Sequence, residues 1–218
     1  MAIILVTGAT GFVGRSVVRE ACRAGHKVRA MVRDRRRGGW LAEWRGVELV
    51  DGDVLDAVST GDAMRGVNAV IHLVGIINEW GGNTFDRAHR QATVHVVDAA
   101  VQAGVRRYVH MSALGTRAGA PSRYHQSKWA AEQHVRQSRL AWTIFRPSLI
   151  FGPGDISINV LAQTMRRAPV APVLGSGHSR IQPVAVDTVA RCFVAALHTD
   201  ASVGQTYDLC GHEVLTWN

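Results

Sequence analysis

The chain has 218 residues, of which 47% are hydrophobic and 19% charged. That composition supports one sizeable core with a small appended lobe and excludes a disordered chain. The formal charge of +8 is almost wholly arginine, since Lys27 and Lys128 are the only lysines; it invites a nucleic-acid reading, but no recognition helix, RNA-binding signature or zinc-finger spacing supports one, and no nucleic acid is expected.

In chain order, Ile3 to Thr7 reads as a buried strand, followed by a helix from Gly11 to Ala24 with Val13, Val17, Val18 and Ala21 on one face. Strands follow at Val28 to Val32, Val47 to Val50, Ala69 to Val74 and Val105 to Met111, with helices near Thr60–Met64 and Thr84–Ala103 between them. A helix from Ser122 to Gln137 and a strand from Trp142 to Phe145 complete a sixth unit. Strands alternating with helices predict a parallel sheet covered on both faces, an α/β doubly wound architecture. Beyond Arg146-Pro147 the texture changes. Gly152-Pro153-Gly154 is a turn, Ser157 to Arg167 reads as a helix, and Pro169, Pro172, Gly175 and Gly177 mark loops. Pro183 opens a short strand, Asp187 is expected to cap a helix reaching His198, and Thr206 to Leu209 is the last strand. One domain over 1–218 is expected, with about 150–183 and 205–218 forming a small C-terminal substrate lobe. The chain stops at Trp217-Asn218 without a finishing helix, as expected of a piece of a longer protein.

Residues 7–14 read Thr-Gly-Ala-Thr-Gly-Phe-Val-Gly, placing Gly8, Gly11 and Gly14 between the first strand and the first helix. In that context Gly8 permits the turn, Gly11 lets backbone approach a pyrophosphate, and Gly14 lets helix and sheet pack closely. Phosphates would then meet free N–H groups at the helix N-terminus. The second strand ends Val32-Arg33-Asp34. An acid there holds an adenosine ribose diol, whereas an arginine favours a 2′-phosphate. Arg33 stands at the selector position, so NADP(H) is favoured; a register shift of one residue would put Asp34 there, which keeps NAD(H) open. Arg36 and Arg37 read as solvated loop.

Tyr124 and Lys128 form a Tyr-x-x-x-Lys motif on a predicted helix, where i,i+4 spacing puts both on one face. A nearby ammonium is expected to lower the phenol's pKa and make it a usable acid or base. Glu132 continues the face as a candidate partner for Lys128. Ser112, ending the fifth strand, offers a hydroxyl for a substrate carbonyl or alcohol, or else caps a turn.

These motifs, with His72-Leu73-Val74-Gly75-Ile76-Ile77-Asn78, His110 to Gly115, Arg146-Pro147-Ser148-x-x-Phe151-Gly152-Pro153-Gly154-Asp155 and Pro183-Val184-x-Val186-Asp187, resemble the short-chain dehydrogenase/reductase superfamily on its extended or atypical side. Within it, the chain is most similar to the NAD(P)H-binding accessory subunit of respiratory complex I and its bacterial relatives. The resemblance implies a Rossmann fold. It implies that Gly8, Gly11 and Gly14 bind pyrophosphate, with Thr10, Phe12 and Val13 supplying loop backbone. It implies that Asp53 with Val54 meets adenine, that Leu73, Val74 and Gly75 line the cofactor, and that Pro147, Ser148 and Leu149 touch nicotinamide. Ser112, Tyr124 and Lys128 would be catalytic, the last two also contacting the cofactor. In one departure, His89 stands where the family usually carries asparagine, so it either relays protons instead or weakens the relay.

The histidines show no zinc spacing, and no metal is expected. Trp40, Trp44 and Trp80 fall near connections, either packing there or lining a pocket or partner surface. Three separated cysteines fit a reducing, cytoplasmic compartment. The expected function is hydride transfer on an unidentified small-molecule carbonyl, alcohol or quinone-related substrate. The alternatives are a non-catalytic accessory subunit or assembly factor, peripheral to the membrane through a membrane-bound respiratory complex as partner, and a regulator that senses the NADP(H) ratio.

Overall fold

A computed structural model of the chain describes residues 2–155, 159, 163, 165–166 and 176–216. The elements are β1 (Ile3–Thr7), α1 (Phe12–Arg23), β2 (Lys27–Val32), the short α2 (Arg35–Gly38), β3 (Val47–Asp51), α3 (Ala57–Ala63), β4 (Ala69–His72), α4 (Ala92–Gln102), β5 (Arg107–Met111), α5 (Arg123–Gln137), β6 (Ala141–Pro147), β7 (Ile150–Phe151), β8 (Val184–Ala185), α6 (Val186–Ala196) and β9 (Gln205–Leu209). A π-helical turn, Asp86–Gln91, leads directly into α4.

Seven strands form one parallel sheet in the order β3-β2-β1-β4-β5-β6-β9. The chain direction across the sheet reverses between β1 and β4, which opens a crevice at their carboxyl ends, where doubly wound sheets bind ligands. Alternation along β1 serves both faces: Ile4 and Val6 pack with Val17, Val18, Val189 and Phe193 of α1 and α6, while Leu5 packs with Val96 and Val135 of α4 and α5. Both faces are covered, so the inner strands read as continuous apolar runs.

Three expectations change. Residues 205–209, assigned to the lobe, form the outer strand of the main sheet, because β9 pairs with β6 from Thr143↔Gln205 to Pro147↔Leu209. Asp187 is not a cap: Ala185 holds that position without a side-chain bond, and Asp187 in the first turn pairs with Arg19 of α1 at 2.9 Å. The β4 strand ends at His72, leaving Leu73 and Val74 in the crevice. Beyond the main sheet, β7 and β8 pair as a two-stranded sheet, and Ile181 bridges to Leu215. In the expected 157–167 helix, residues 159, 163, 165 and 166 are helical; the rest of it, with Pro169, Pro172 and Gly175, lies outside the described residues. Trp40 and Trp44 pack edge to face at 5.3 Å, and Trp80 is exposed. No described helix is long and apolar enough to cross a membrane.

Candidate active site

A cleft of about 290 Å³ lies over the β1/β4 switch point. Gly8, Thr10, Gly11, Arg33, Asp53, Val54, Leu73, Val74 and Gly75, all cofactor-binding candidates in the sequence, line it. Gly8 has φ +75° and sits against the Leu73–Val74 backbone, so the turn depends on a residue without a Cβ. A Cβ on Gly14 would collide with the Gly8 carbonyl oxygen, which is the close helix–strand approach that the glycine spacing predicts. Phe12, Val13 and Gly14 form the first turn of α1 rather than the cleft wall. That helix starts at Gly11 with no side-chain cap and no acid in its first turn. Its leading N–H groups are therefore left for an anion, reinforced by the helix dipole. The cleft thus fits a dinucleotide's phosphates.

At the end of β2, Arg33 lines the cleft, whereas Asp34 caps α2 by accepting the Arg36 amide at 2.9 Å. Arg35 pairs with Asp51, and Arg36 is exposed. Asp53 Oδ1 accepts the Leu55 amide at 3.0 Å, which fixes the loop after β3.

A second cavity, about 480 Å³, is lined by Tyr124, Pro147, Ser148 and Leu149 together with His125, Arg180 and Gln182. The Tyr124 ring packs edge-on to Phe85 and His89, at 5.6 and 5.2 Å. Lys128, one turn along α5, is buried and donates to the Met111 carbonyl at 3.1 Å. Its Nζ lies beside Gly75, where a Cβ would come within 3.0 Å. Ser112 lines neither cavity: its amide donates to Phe145, and its Oγ is buried without a partner.

Two electrostatic expectations are corrected. The Tyr124 phenol is pushed up, not down, because burial penalises the phenolate. Lys128 is itself weakened as a cation: burial lowers it to about 8, with the Glu132 charge opposing. Glu132 does not pair with Lys128. It takes a two-pronged contact from Arg146, at 2.8 and 2.7 Å, and a further one from Arg136 at 2.8 Å.

His89 is also fixed by its surroundings. Ser127 Oγ lies 2.7 Å from the Tyr124 carbonyl oxygen and 2.8 Å from His89 Nδ1. Nε2 lies 3.1 Å from both the amide nitrogen and the carbonyl oxygen of Ile76. Burial, and then Lys128, hold His89 down to about 3. Neutral throughout the physiological range, the ring braces the cleft loop against α5. His72 is held in the same way, between Thr7 Oγ1 at 2.6 Å and Thr93 Oγ1 at 3.3 Å. Among the described residues no group of histidines, cysteines and carboxylates forms a metal site.

The sequence reading missed Ile76, Asn83 and Ala88 in the first cleft and His125, Arg180 and Gln182 in the second. His125 was discoverable from its place beside Tyr124. Asn83 and Ala88 arrive through the turn closed by the Trp80–Asn83 bridge, which has no local signature.

The NAD(P)H-binding family profile matches residues 8–200. The chain is 33% identical over 98% of its length to a mitochondrial NADH dehydrogenase 1 alpha subcomplex subunit 9 of Arabidopsis thaliana. It is 35% identical over 90% of its length to a ceramide reductase of Caulobacter vibrioides. It spans 55% and 61% of those two proteins. Among solved structures, a dTDP-glucose 4,6-dehydratase from Streptomyces venezuelae with NAD bound shares the fold at TM-score 0.82 and 23% identity, over 98% of this chain and 77% of that one.

Proposed function

The chain belongs to the NAD(P)H-binding family, and from that premise we propose that it works as an NADP(H)-dependent reductase on a small-molecule carbonyl. The observation that carries this reading is the reach of α5 across both cavities. Tyr124 lines the second, and Lys128, one turn on, stands beside Gly75 at the edge of the first.

When bound, the dinucleotide supplies or accepts a hydride. Gly8, Gly11 and the uncapped start of α1 hold its pyrophosphate. Arg33 holds the 2′-phosphate with a charge-assisted fork, while Asp34 is engaged as a helix cap. Asp53 and Val54 face adenine, and Pro147 to Leu149 face nicotinamide. With its pKa raised, Tyr124 keeps its proton near neutral pH and serves as the acid in the direction of reduction. Lys128 stays mostly charged at pH 7 and stabilises the phenolate as it forms.

A Tyr124→Phe variant should bind NADPH unchanged and lose at least about 100-fold in turnover on a carbonyl substrate. Full turnover by that variant overturns the mechanism.

The similarity to complex I subunits supports a second reading, a cofactor-holding accessory subunit bound to a membrane respiratory complex. NADPH dissociation separates the two. Release in seconds or faster supports the reductase, and release over hours supports the structural role.

A further inference from the structure

The second cavity carries the chemistry of its own ligand, and the inference drawn from it rests on the reductase reading. Among the described residues, five polar side chains stand on its wall, Tyr124, His125, Ser148, Arg180 and Gln182. Two of them are engaged with the protein itself: Ser148 Oγ donates to the Gln182 carbonyl, and Gln182 Nε2 donates to the Gly211 carbonyl at 3.2 Å. Arg180 is exposed. That leaves the Tyr124 phenol and the His125 imidazole, side by side on α5, as the inner polar groups. The other described lining residues are apolar, Ala113, Leu114, Pro147, Leu149, Ile181 and Val214.

The state of His125 follows from its partner. Its Nδ1 lies 3.2 Å from Thr116 Oγ1, and Thr116 is buried. Among the described residues this contact is the one hydrogen bond that the Thr116 hydroxyl makes. If Nδ1 carried the proton, the hydroxyl hydrogen would be buried without an acceptor, at a cost of about 1–3 kcal/mol. The hydroxyl therefore donates to Nδ1, and the imidazole proton sits on Nε2, on the edge of the ring beside Gly115. His125 is held below its ordinary pKa by burial, and then by Arg117, which keeps that donor neutral.

We propose that this cavity takes an apolar ketone or aldehyde whose single carbonyl oxygen accepts from both Tyr124 and His125 Nε2. The apolar majority of the described lining suits a largely hydrocarbon substrate that brings one polar end to Tyr124 and His125. In the reaction, a hydride from the reduced dinucleotide forms the new C–H bond as the C=O π bond opens. The Tyr124 proton forms the O–H bond, giving an alcohol, the oxidised dinucleotide and a phenolate that is reprotonated from solvent. His125 donates a hydrogen bond throughout and transfers no proton.

The test uses the full chain labelled with [15N]histidine and saturated with NADP+, probed with 2-decanone and separately with UDP-glucose. The expected result is a His125 protonated on Nε2, with its Nε2 resonance moved by 2-decanone and not by UDP-glucose. His125→Phe should weaken 2-decanone binding about 3- to 10-fold and leave NADP+ affinity unchanged. His125→Gln, which places an amide N–H near the Nε2 position, should restore it. A proton on Nδ1, tighter binding of UDP-glucose than of 2-decanone, or unchanged 2-decanone affinity in His125→Phe overturns the proposal. If 2-decanone binds as expected but NADPH is not consumed with it, the cavity assignment stands and the reductase reading fails.

Discussion

His89 Nδ1 lies 2.8 Å from Ser127 Oγ while Nε2 of the same ring lies 3.1 Å from the amide nitrogen and the carbonyl oxygen of Ile76, so one neutral imidazole ties the cleft loop to the helix that carries Tyr124 and Lys128. His89→Leu should leave the Ile76 backbone and Ser127 without their side-chain partner, destabilise the fold by about 1–3 kcal/mol, and loosen NADPH binding. Urea unfolding and fluorescence titration check both. The brace also has an acid limit. His72 and His89 titrate near 3 in the folded chain, because of burial first and then Lys128, against 6.5 when unfolded. Between those values the unfolded chain binds protons that the folded chain refuses. Stability should therefore fall as the pH drops from 6.5, by up to about 1.4 kcal/mol per unit for each ring. Unfolding at pH 7, 6 and 5 measures the slope, and His89→Asn should flatten it.

Arg33 lines the cleft, while Asp34 beside it is engaged at the start of α2. Arg33→Ala should weaken NADPH binding about 10-fold or more and leave NADH binding nearly unchanged, since only the 2′-phosphate loses its charge-assisted bond. Parallel titrations with the two nucleotides decide it; an equal loss for both would remove the selector role.

Lys128 holds a charge in a buried setting, and its pKa falls from 10.5 to about 8. Between those values the unfolded chain is the more protonated, so stability should rise as pH increases from 8 toward 10.5. Lys128→Met keeps the length and removes the charge. It should abolish that rise, cost little stability at pH 7, and remove turnover. Thermal melts at pH 7, 8.5 and 10 on both proteins check the sign.

Glu132 is fully buried between Arg146 and Arg136. Glu132→Gln should destabilise the chain by about 3–5 kcal/mol, because it strands two guanidinium groups without their anion. Chemical denaturation reads this directly. Replacing Arg146 by Met at the same time should recover part of the loss, since fewer unpaired charges then remain.

The sequence alone determined the parallel sheet, the phosphate turn and the Tyr124/Lys128 face. Each rests on short-range rules: apolar runs between helical periods, glycines where Gly8 must turn and Gly14 must lie against the Gly8 carbonyl, and an i,i+4 spacing that sets two residues one turn apart on a helix. The tertiary structure decided what depends on neighbours distant in the chain. Asp34 is excluded from the cleft wall by the helix that it caps, and Glu132 is drawn from Lys128 to Arg146, fourteen residues away. The Tyr124 phenol is raised because it is buried, with Phe85 and His89 packed against its ring. Strand β9 leaves the expected lobe because β6 has an open edge that it can complete. Desolvation and pairing are properties of the packed molecule, and no spacing along the chain encodes them.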